Sequence, residues 1–377
     1  MIKFGWRYSL LYPCLFIITL GTRSLVNEFI RIVYEDKSFS YISLFSIYFL
    51  QIIMCAILSW NNNRKNKSKK KSQFLGIALN EDTKTLDRPD GNLKIIILLI
   101  FSAFFECIGA LIRKLASSSV LNFDYYYANY RSSEIIIASV LCYFALNTKI
   151  YRHHIFSLII MLLYLIIAII YEAYLIFFKG KDYKYLLITL FSGMIRVFLD
   201  ATEKYLFNID FIDLYKMMVF EGIINTVFTA TCFCFDSPSQ EFSNFIDFLY
   251  KDILKFSVVI LLLIVYSIVT GFKNIYRRET IKEFSPMTRI LAQSILDPIY
   301  IIYGTIKDKK KGKEIDTNQF IVILVFSFIM IFCSCIYNEI FVLYFCGLEK
   351  DTHLAVAPSS ENYELQYSGT SKSLIDY

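Results

Sequence analysis

Histidine, the commonest residue in metal binding and acid–base catalysis, is scarce in this sequence. Only three of its 377 residues are histidines: His153 and His154 are adjacent in a basic segment, and His353 lies in a polar tail. A zinc site needs ligands that converge on one point, and these three are not placed to do so. The chain also lacks the glycine-rich loop that holds nucleotide phosphates. We therefore predict no cofactor, no metal site, no enzymatic activity and no ATP-driven transport by this chain alone.

Charged residues are also scarce. They make up 19% of the sequence, against 56% hydrophobic residues, and the mean hydropathy is +0.49. Soluble domains are nearer to about 45–50% apolar. The apolar residues occur in blocks of about 20, the length of a helix that crosses about 30 Å of hydrocarbon. We predict an all-α polytopic membrane protein whose partners are the lipid bilayer and a small polar solute, and the sequence leaves a homodimer open.

The formal charge of +6 does not favour a nucleic-acid partner, because the basic residues cluster between apolar blocks. About ten transmembrane helices are predicted, near residues 10–31, 39–60, 94–116, 123–146, 155–178, 183–206, 211–235, 254–276, 284–306 and 319–345. The first, fourth and ninth of these spans contain charged residues, so nine spans is the alternative.

A basic segment separates the second span from the third. Residues 61–94 include Arg64 and Lys69 to Lys71 without apolar periodicity, so we expect a solvated, disordered loop. The positive-inside rule places this loop in the cytoplasm, and an even number of spans places both termini there as well. The acidic segment 236–252 then faces the opposite side. Residues 349–377 are predicted to form a flexible cytoplasmic tail.

The end of the fifth span resembles the end of the tenth. Ile170-Tyr171-Glu172 corresponds to Ile336-Tyr337-Asn338-Glu339 with one insertion, and Arg131 and Arg289 lie near the starts of the fourth and ninth spans. This pattern predicts a duplication of five spans. Because five is odd, the two repeats would be inverted, which is the structural basis of alternating access in many transporters. The predicted repeats are residues 1–178 and 179–348.

Ionisable residues within the spans are the candidate functional residues, because a charge at the bilayer centre costs several kcal/mol unless it is paired or hydrated. The sequence places eleven there: Glu106, Arg131, Glu134, Glu172, Arg196, Asp200, Lys216, Glu221, Arg289, Asp297 and Glu339. Helical spacing allows Arg131 to pair with Glu134 and Arg196 to pair with Asp200. Ion pairing and substrate contact both remain open for these two pairs.

The arginines favour an anionic substrate, because a guanidinium group matches the geometry of phosphate and carboxylate. We expect Arg131, Arg196 and Arg289 to face one cavity, with Lys216 and Tyr130 as further substrate-binding residues. Tyr130 belongs to a tyrosine-rich segment that is more often an interfacial belt. The seven acidic residues are candidates for proton coupling or ion pairing.

Four stretches resemble the drug/metabolite transporter superfamily, and within it the solute-carrier branch that is similar to nucleotide-sugar transporters. They are Asn129 to Ile136, Thr202 to Tyr205 with Phe220 to Gly222, Lys282 to Arg289, and Cys335 to Asn338. The resemblance implies ten helices in two inverted repeats, a central cavity and secondary transport, often by exchange. It also favours an endomembrane location (Golgi, endoplasmic reticulum, lysosome or vacuole) over the plasma membrane.

Two other functions remain open. Glu106, Glu172 and Glu339 fit a proton-coupled exporter of amino acids, peptides or cationic metabolites. A membrane scaffold that transports nothing would use the basic segment 61–94 to contact partners or anionic lipid. A cavity sealed throughout, with every intramembrane charge paired, would favour the scaffold.

Overall fold

The computed structural model describes residues 2–4, 11–34, 40–74, 89–119, 131–146, 150–179, 184–209, 213–235, 238–310, 317–343 and 348. In chain order, this part contains β1 (Ile2–Phe4), α1 (Leu11–Val33), α2 (Ser40–Phe74), α3 (Pro89–Ser119), α4 (Arg131–Leu146), α5 (Arg152–Lys179), α6 (Lys184–Ile209), α7 (Leu214–Phe235), α8 (Pro238–Lys251), α9 (Ile253–Glu283), α10 (Pro286–Ser294), α11 (Asp297–Lys310), α12 (Thr317–Tyr337) and β2 (Phe341–Leu343).

The chain is a helical membrane protein. Five helices in the described part are long and apolar enough to cross a bilayer, within α2, α3, α5, α9 and α12. Their outer surfaces are apolar, as on α5, where Ile159, Leu163 and Ile170 are all about half exposed or more. Such surfaces are stable in lipid, where the helix satisfies its own backbone polar groups.

Several predicted boundaries are corrected. Helix α2 continues through the basic residues to Phe74, where the sequence predicted disorder, and α3 already begins at Pro89. The predicted acidic loop contains the amphipathic helix α8. The tenth span ends at Tyr337 rather than 345 and is followed by a turn and β2. Amphipathic and juxtamembrane helices are stable without a long apolar run, which is why the apolar blocks did not reveal them.

The predicted ninth span is interrupted. Helix α10 ends at Ser294, and α11 begins at Asp297, after a turn at Ile295 and Leu296. Pro298 accounts for the break, because its ring would clash with the carbonyl four residues earlier and it has no N–H to donate. The helices contain 9 and 14 residues. At 1.5 Å per residue they are about 14 and 21 Å long, so neither alone crosses the hydrocarbon.

The chain forms two compact units. The first unit is Met1–Leu10, Val120–Met194 and Ile290–Tyr377, and the second unit is Leu11–Ser119 and Ile195–Arg289. Each unit therefore combines spans from both predicted repeats. The repeat boundaries themselves stay a prediction.

In the second unit, α1 packs against α9, and α2 packs against both α7 and α9. Gly222 permits the close approach of α7 to α2, because a Cβ there would lie 2.8 Å from Cγ1 of Ile52. Arg23 on α1 donates to the hydroxyl oxygen of Tyr266 at 3.0 and 3.2 Å, which gives this predicted intramembrane charge a polar partner. Asp252 caps α9 by accepting the backbone N–H of Lys255 at 3.1 Å.

In the first unit, α5 packs against α4 and α12, and α12 packs against α11. Tyr164 of α5 contacts Phe326 of α12, with ring centroids 4.8 Å apart. The strands β1 and β2 are antiparallel, with Lys3 opposite Val342. The first unit therefore pairs a strand from near the start of the sequence with one that follows α12.

Candidate functional site

Helix α9 carries a buried polar stripe within an otherwise apolar sequence. Ser267, Thr270, Asn274, Arg277 and Arg278 recur at intervals of three to four residues and are all buried. That spacing places them along one face of the helix. The stripe faces the protein interior, where it meets carboxylates from three other helices.

Arg278 is the centre of this network in the second unit. Its side chain is fully buried and donates to three carboxylates: Nη2 lies 3.0 Å from Glu106 and 2.5 Å from Glu221, and Nε lies 2.8 Å from Glu203. These partners come from α3, α7 and α6 respectively. Ser102 lies 2.5 Å from the other oxygen of Glu221 and donates to it. One guanidinium thus joins four helices.

Arg277 and Arg289 extend the network. Arg277 donates to Asp200 at 2.6 Å and to Glu203 at 2.5 Å. Arg289 donates to the second oxygen of Asp200. Asp200 therefore binds two arginines from outside its own helix. The pairing of Asp200 with Arg196, four residues earlier, stays a prediction, and each oxygen of Asp200 accepts a hydrogen bond from a different arginine.

The network contains more carboxylates than guanidinium groups. Glu106, Asp200, Glu203 and Glu221 face Arg277, Arg278 and Arg289, and Lys273 is close enough to Glu106 to interact electrostatically. Asn225 also donates to Glu106, at 3.3 Å. Among the described residues, polar atoms without a hydrogen-bond partner here include Glu203 Oε2, Arg278 Nη1 and Asn225 Oδ1. Such atoms are costly to bury, so they mark places for water, a proton or a ligand.

A separate ion pair lies at the interruption of the ninth span, in the first unit. Arg131 binds Asp297 through two parallel hydrogen bonds, Nε to Oδ2 at 3.0 Å and Nη2 to Oδ1 at 2.7 Å. Both side chains are at least 95% buried. Arg131 is the first residue of α4, and Asp297 is the first residue of α11. Helix N-termini favour anions, so the two helix ends stabilise a carboxylate at this point.

The remaining predicted residues fall into different places. Glu134 lies 3.8 Å from Arg131, as the helical spacing predicted, and it packs against Gly193 of α6. Arg196 belongs to the second unit and is partly buried, and Lys216 is exposed on α7. Tyr130 lies outside the described residues.

The predicted cavity shared by the three arginines stays a prediction. Arg131 belongs to the first unit, whereas Arg196 and Arg289 belong to the second. Arg131 and Arg289 each have a carboxylate partner within their own unit. Of the three predicted proton carriers, Glu106 belongs to the network of the second unit, and Glu172 and Glu339 are buried in the first unit.

Sequence reasoning missed Arg277, Arg278 and Glu203. The first two lie beyond the predicted end of the eighth span at residue 276, but α9 continues to Glu283 and buries them. The polar stripe beginning at Ser267 was the available signal, because it runs at helical spacing through an apolar block into the arginine pair. Glu203 lies three residues after Asp200, so the two share one helical face.

Comparison of the chain with models of known protein families and with characterised protein sequences finds no match.

Proposed function

We propose that this chain is a secondary transporter of a polar, anionic metabolite, and that nucleotide-sugars are the first substrate class to test. The observation that carries the proposal is the buried Arg131–Asp297 pair at the interrupted helix. Many transporters bind their substrates at discontinuous helices, where helix N-termini face anionic groups. Asp297 acts as the internal anion that occupies Arg131 when no solute is bound.

The pair suggests how binding is coupled to charge. An anion that binds Arg131 displaces Asp297, and two buried negative charges beside one guanidinium are unfavourable. Protonation of Asp297 removes this repulsion. We therefore expect substrate binding to be accompanied by proton uptake, or by the departure of another anion in an exchange cycle.

The helix contacts support ten spans in two inverted repeats. We count α10 and α11 together as span nine. In a repeat of five spans, each contact should recur when both spans are exchanged for their counterparts five positions away. The contact between spans three and seven corresponds in this way to that between spans eight and two, and the contact between spans four and five corresponds to that between spans nine and ten. The contact between spans two and seven and the contact between spans five and ten each join a span to its own counterpart. The contact of span one with eight corresponds to that of six with three, where the rings of Phe105 and Phe198 stack at 6.1 Å. Pairing of β1 with β2 supports an even number of crossings, because it brings the two ends together.

Counterflow into liposomes tests the proposal. Purified protein is reconstituted in liposomes loaded with a nucleoside monophosphate, and uptake of labelled nucleotide-sugars is measured without ATP at several external pH values. We expect saturable uptake that rises as the external pH falls. Absence of saturable uptake of any anion by folded protein would contradict the proposal and favour the scaffold.

Two variants locate the site. Arg131→Lys keeps the charge but cannot form both hydrogen bonds, so uptake should fall at least tenfold. Asp297→Asn removes the displaced charge, so uptake should lose its pH dependence. Arg31→Lys is the matched control, because Arg31 is half exposed and its pairing with Glu28 is loose, at 3.8 Å. Equal uptake by both lysine variants would remove Arg131 from the site.

The second candidate is a proton-coupled exporter of cationic metabolites or amino acids. It is favoured by the four carboxylates that face three arginines in the second unit. This function predicts that a pH gradient drives labelled cationic amino acids, and not nucleotide-sugars, into the liposomes. Glu221→Gln should then abolish the effect of the gradient.

A further inference from the structure

Three possible metal ligands converge in the first unit, although the sequence keeps them far apart. His153 and His154 lie in the first turn of α5, and Glu339 lies in the turn that follows α12. One ligand atom from each residue can be chosen so that all three lie within 4.8 Å of one another. The sequence predicted no metal site because Glu339 is 185 residues from His154 along the chain.

The contact between His153 and Glu339 has the spacing of two ligands on one metal ion. Nε2 of His153 lies 3.3 Å from Oε1 of Glu339. This is longer than an ordinary N–H···O hydrogen bond, and Nε2 has no hydrogen bond in the described part of the chain. Two ligand atoms at about 2.0–2.1 Å from a tetrahedral zinc ion lie roughly 3.3 Å apart. The observed distance fits that geometry.

The cluster is held in place by its surroundings, and both ring nitrogens of His153 lack a hydrogen-bond partner among the described residues. The side chains of His153 and Glu339 are only 4% and 8% exposed. The ring of His154 stacks on Tyr337, with centroids 4.3 Å apart. Glu339 has a φ of 57°, an unfavourable backbone for glutamate. Strain of this kind is common at functional sites.

We propose that His153, His154 and Glu339 form a binding site for a divalent zinc ion, with a fourth position for water. Two imidazoles and one carboxylate are a common zinc ligand set. The ion would place a positive charge between a buried carboxylate and an unsatisfied imidazole. It would also join the start of α5 to the end of α12, which are predicted spans five and ten.

Zinc binding requires a small rearrangement at His154. Its Nδ1 accepts the backbone N–H of Tyr151 at 3.2 Å. A neutral ring that accepts at Nδ1 carries its proton on Nε2, so neither nitrogen is available as it stands. A metal at Nδ1 displaces the Tyr151 N–H, whereas a metal at Nε2 requires the ring proton to move to Nδ1, which breaks the same hydrogen bond. The cost is one long hydrogen bond at a partly exposed ring, which a metal–nitrogen bond outweighs.

Metal binding to the purified full-length chain tests this site independently of transport. Protein in detergent is stripped with a chelator and titrated with zinc, and bound metal and the thermal unfolding midpoint are measured. Cobalt then serves as a spectroscopic probe of tetrahedral coordination. We expect zinc to raise the midpoint reversibly. His153→Asn and Glu339→Gln should each weaken binding at least tenfold, while His353→Asn and Glu28→Gln should leave it unchanged.

Glu339→Gly separates metal binding from folding. Glycine adopts the positive φ without strain, so this variant should be at least as stable as the parent chain without metal. It should nevertheless gain no stability from zinc. The proposal is overturned if the parent chain binds no zinc, which would leave an ion pair only. It is also overturned if the histidine and glutamate variants keep the parent affinity, which would place the zinc on the cysteines.

Discussion

The buried arginines of the two compact units differ in how many carboxylates they bind. In the second unit, Arg278 binds Glu106, Glu203 and Glu221 from three helices, and its own helix, α9, runs unbroken for 31 residues. In the first unit, Arg131 makes two parallel hydrogen bonds to one carboxylate, that of Asp297, beside an interrupted span.

This difference indicates two roles for buried guanidinium–carboxylate pairs. A guanidinium shared by several carboxylates holds helices together, because no single partner can leave without exposing buried charge. A guanidinium with one bidentate carboxylate can exchange that carboxylate for another anion of the same geometry. The second unit is therefore expected to contribute more to stability, and the first unit more to substrate binding.

The largest effect is expected from Arg278→Met. The substitution leaves three buried carboxylates without their shared cation, and the free energy of unfolding should fall by about 5 kcal/mol. Yield of monodisperse protein and thermal unfolding in detergent measure the loss. Arg31→Met at the exposed pair is the control. A loss below about 1 kcal/mol would show that water, rather than Arg278, stabilises the three carboxylates.

The next largest effect is expected at Arg131, where a second substitution should restore most of the lost stability. Arg131→Gln should cost about 3 kcal/mol, because Asp297 remains buried without a cation. Adding Asp297→Asn should recover most of that loss, since neither charge then remains. A double-mutant cycle on thermal stability, with uptake measured in parallel, separates the roles. Uptake should stay absent in the double variant, and recovery of uptake would argue against a binding role for the pair.

A smaller difference is expected between two glycines. Gly222→Ala in the second unit brings a Cβ to 2.8 Å from the branched side chain of Ile52, so α2 and α7 must separate, at a cost of about 1–3 kcal/mol. Gly193→Ala in the first unit brings a Cβ to 3.2 Å from Cγ of Glu134, a contact that a shift of a few tenths of an ångström relieves, and should cost less than about 1 kcal/mol. Gly304→Ala, with nothing within 4 Å, is the control and should be neutral or stabilising. Equal losses at Gly222 and Gly193 would contradict this ranking of the two contacts.

The smallest effect is expected at the surface of the second unit. The backbone N–H of Lys255 lowers the pKa of Asp252 below its usual value. The stabilisation is therefore present above the ordinary aspartate pKa and is lost as the pH falls through the lowered one. Asp252→Ala should slightly reduce the unfolding midpoint at pH 7, and the difference from the parent chain should shrink at low pH. A difference that grows on acidification would show that Asp252 does not act as a charged cap.

The sequence predicted the helical membrane class and most helix positions correctly. Apolar length fixes where a helix can lie in lipid, so α1, α5 and α6 begin and end within about three residues of the predicted spans. The prediction failed where structure does not depend on apolar length. The basic end of α2, the amphipathic α8 and the break before Pro298 are of this kind.

The candidate sites were predicted by residue type but not by partner. Arg131, Asp200, Glu221, Arg289 and Asp297 were recognised as buried charges from their positions in apolar blocks. Helical spacing did predict the contact of Arg131 with Glu134, which is 3.8 Å long. The short contacts all join residues at least 57 positions apart, as between Arg278 and Glu221.

By itself the sequence determined that the chain is embedded in a lipid bilayer, that it forms helices, and that several charges must be buried. These follow from the transfer cost of each side chain and from the hydrogen bonds a backbone needs in hydrocarbon, which are local properties. Only the tertiary structure decided which carboxylate faces which arginine and brought Glu339 beside His153. A buried charge selects its partner by distance in space, and that distance exists only after the helices have packed.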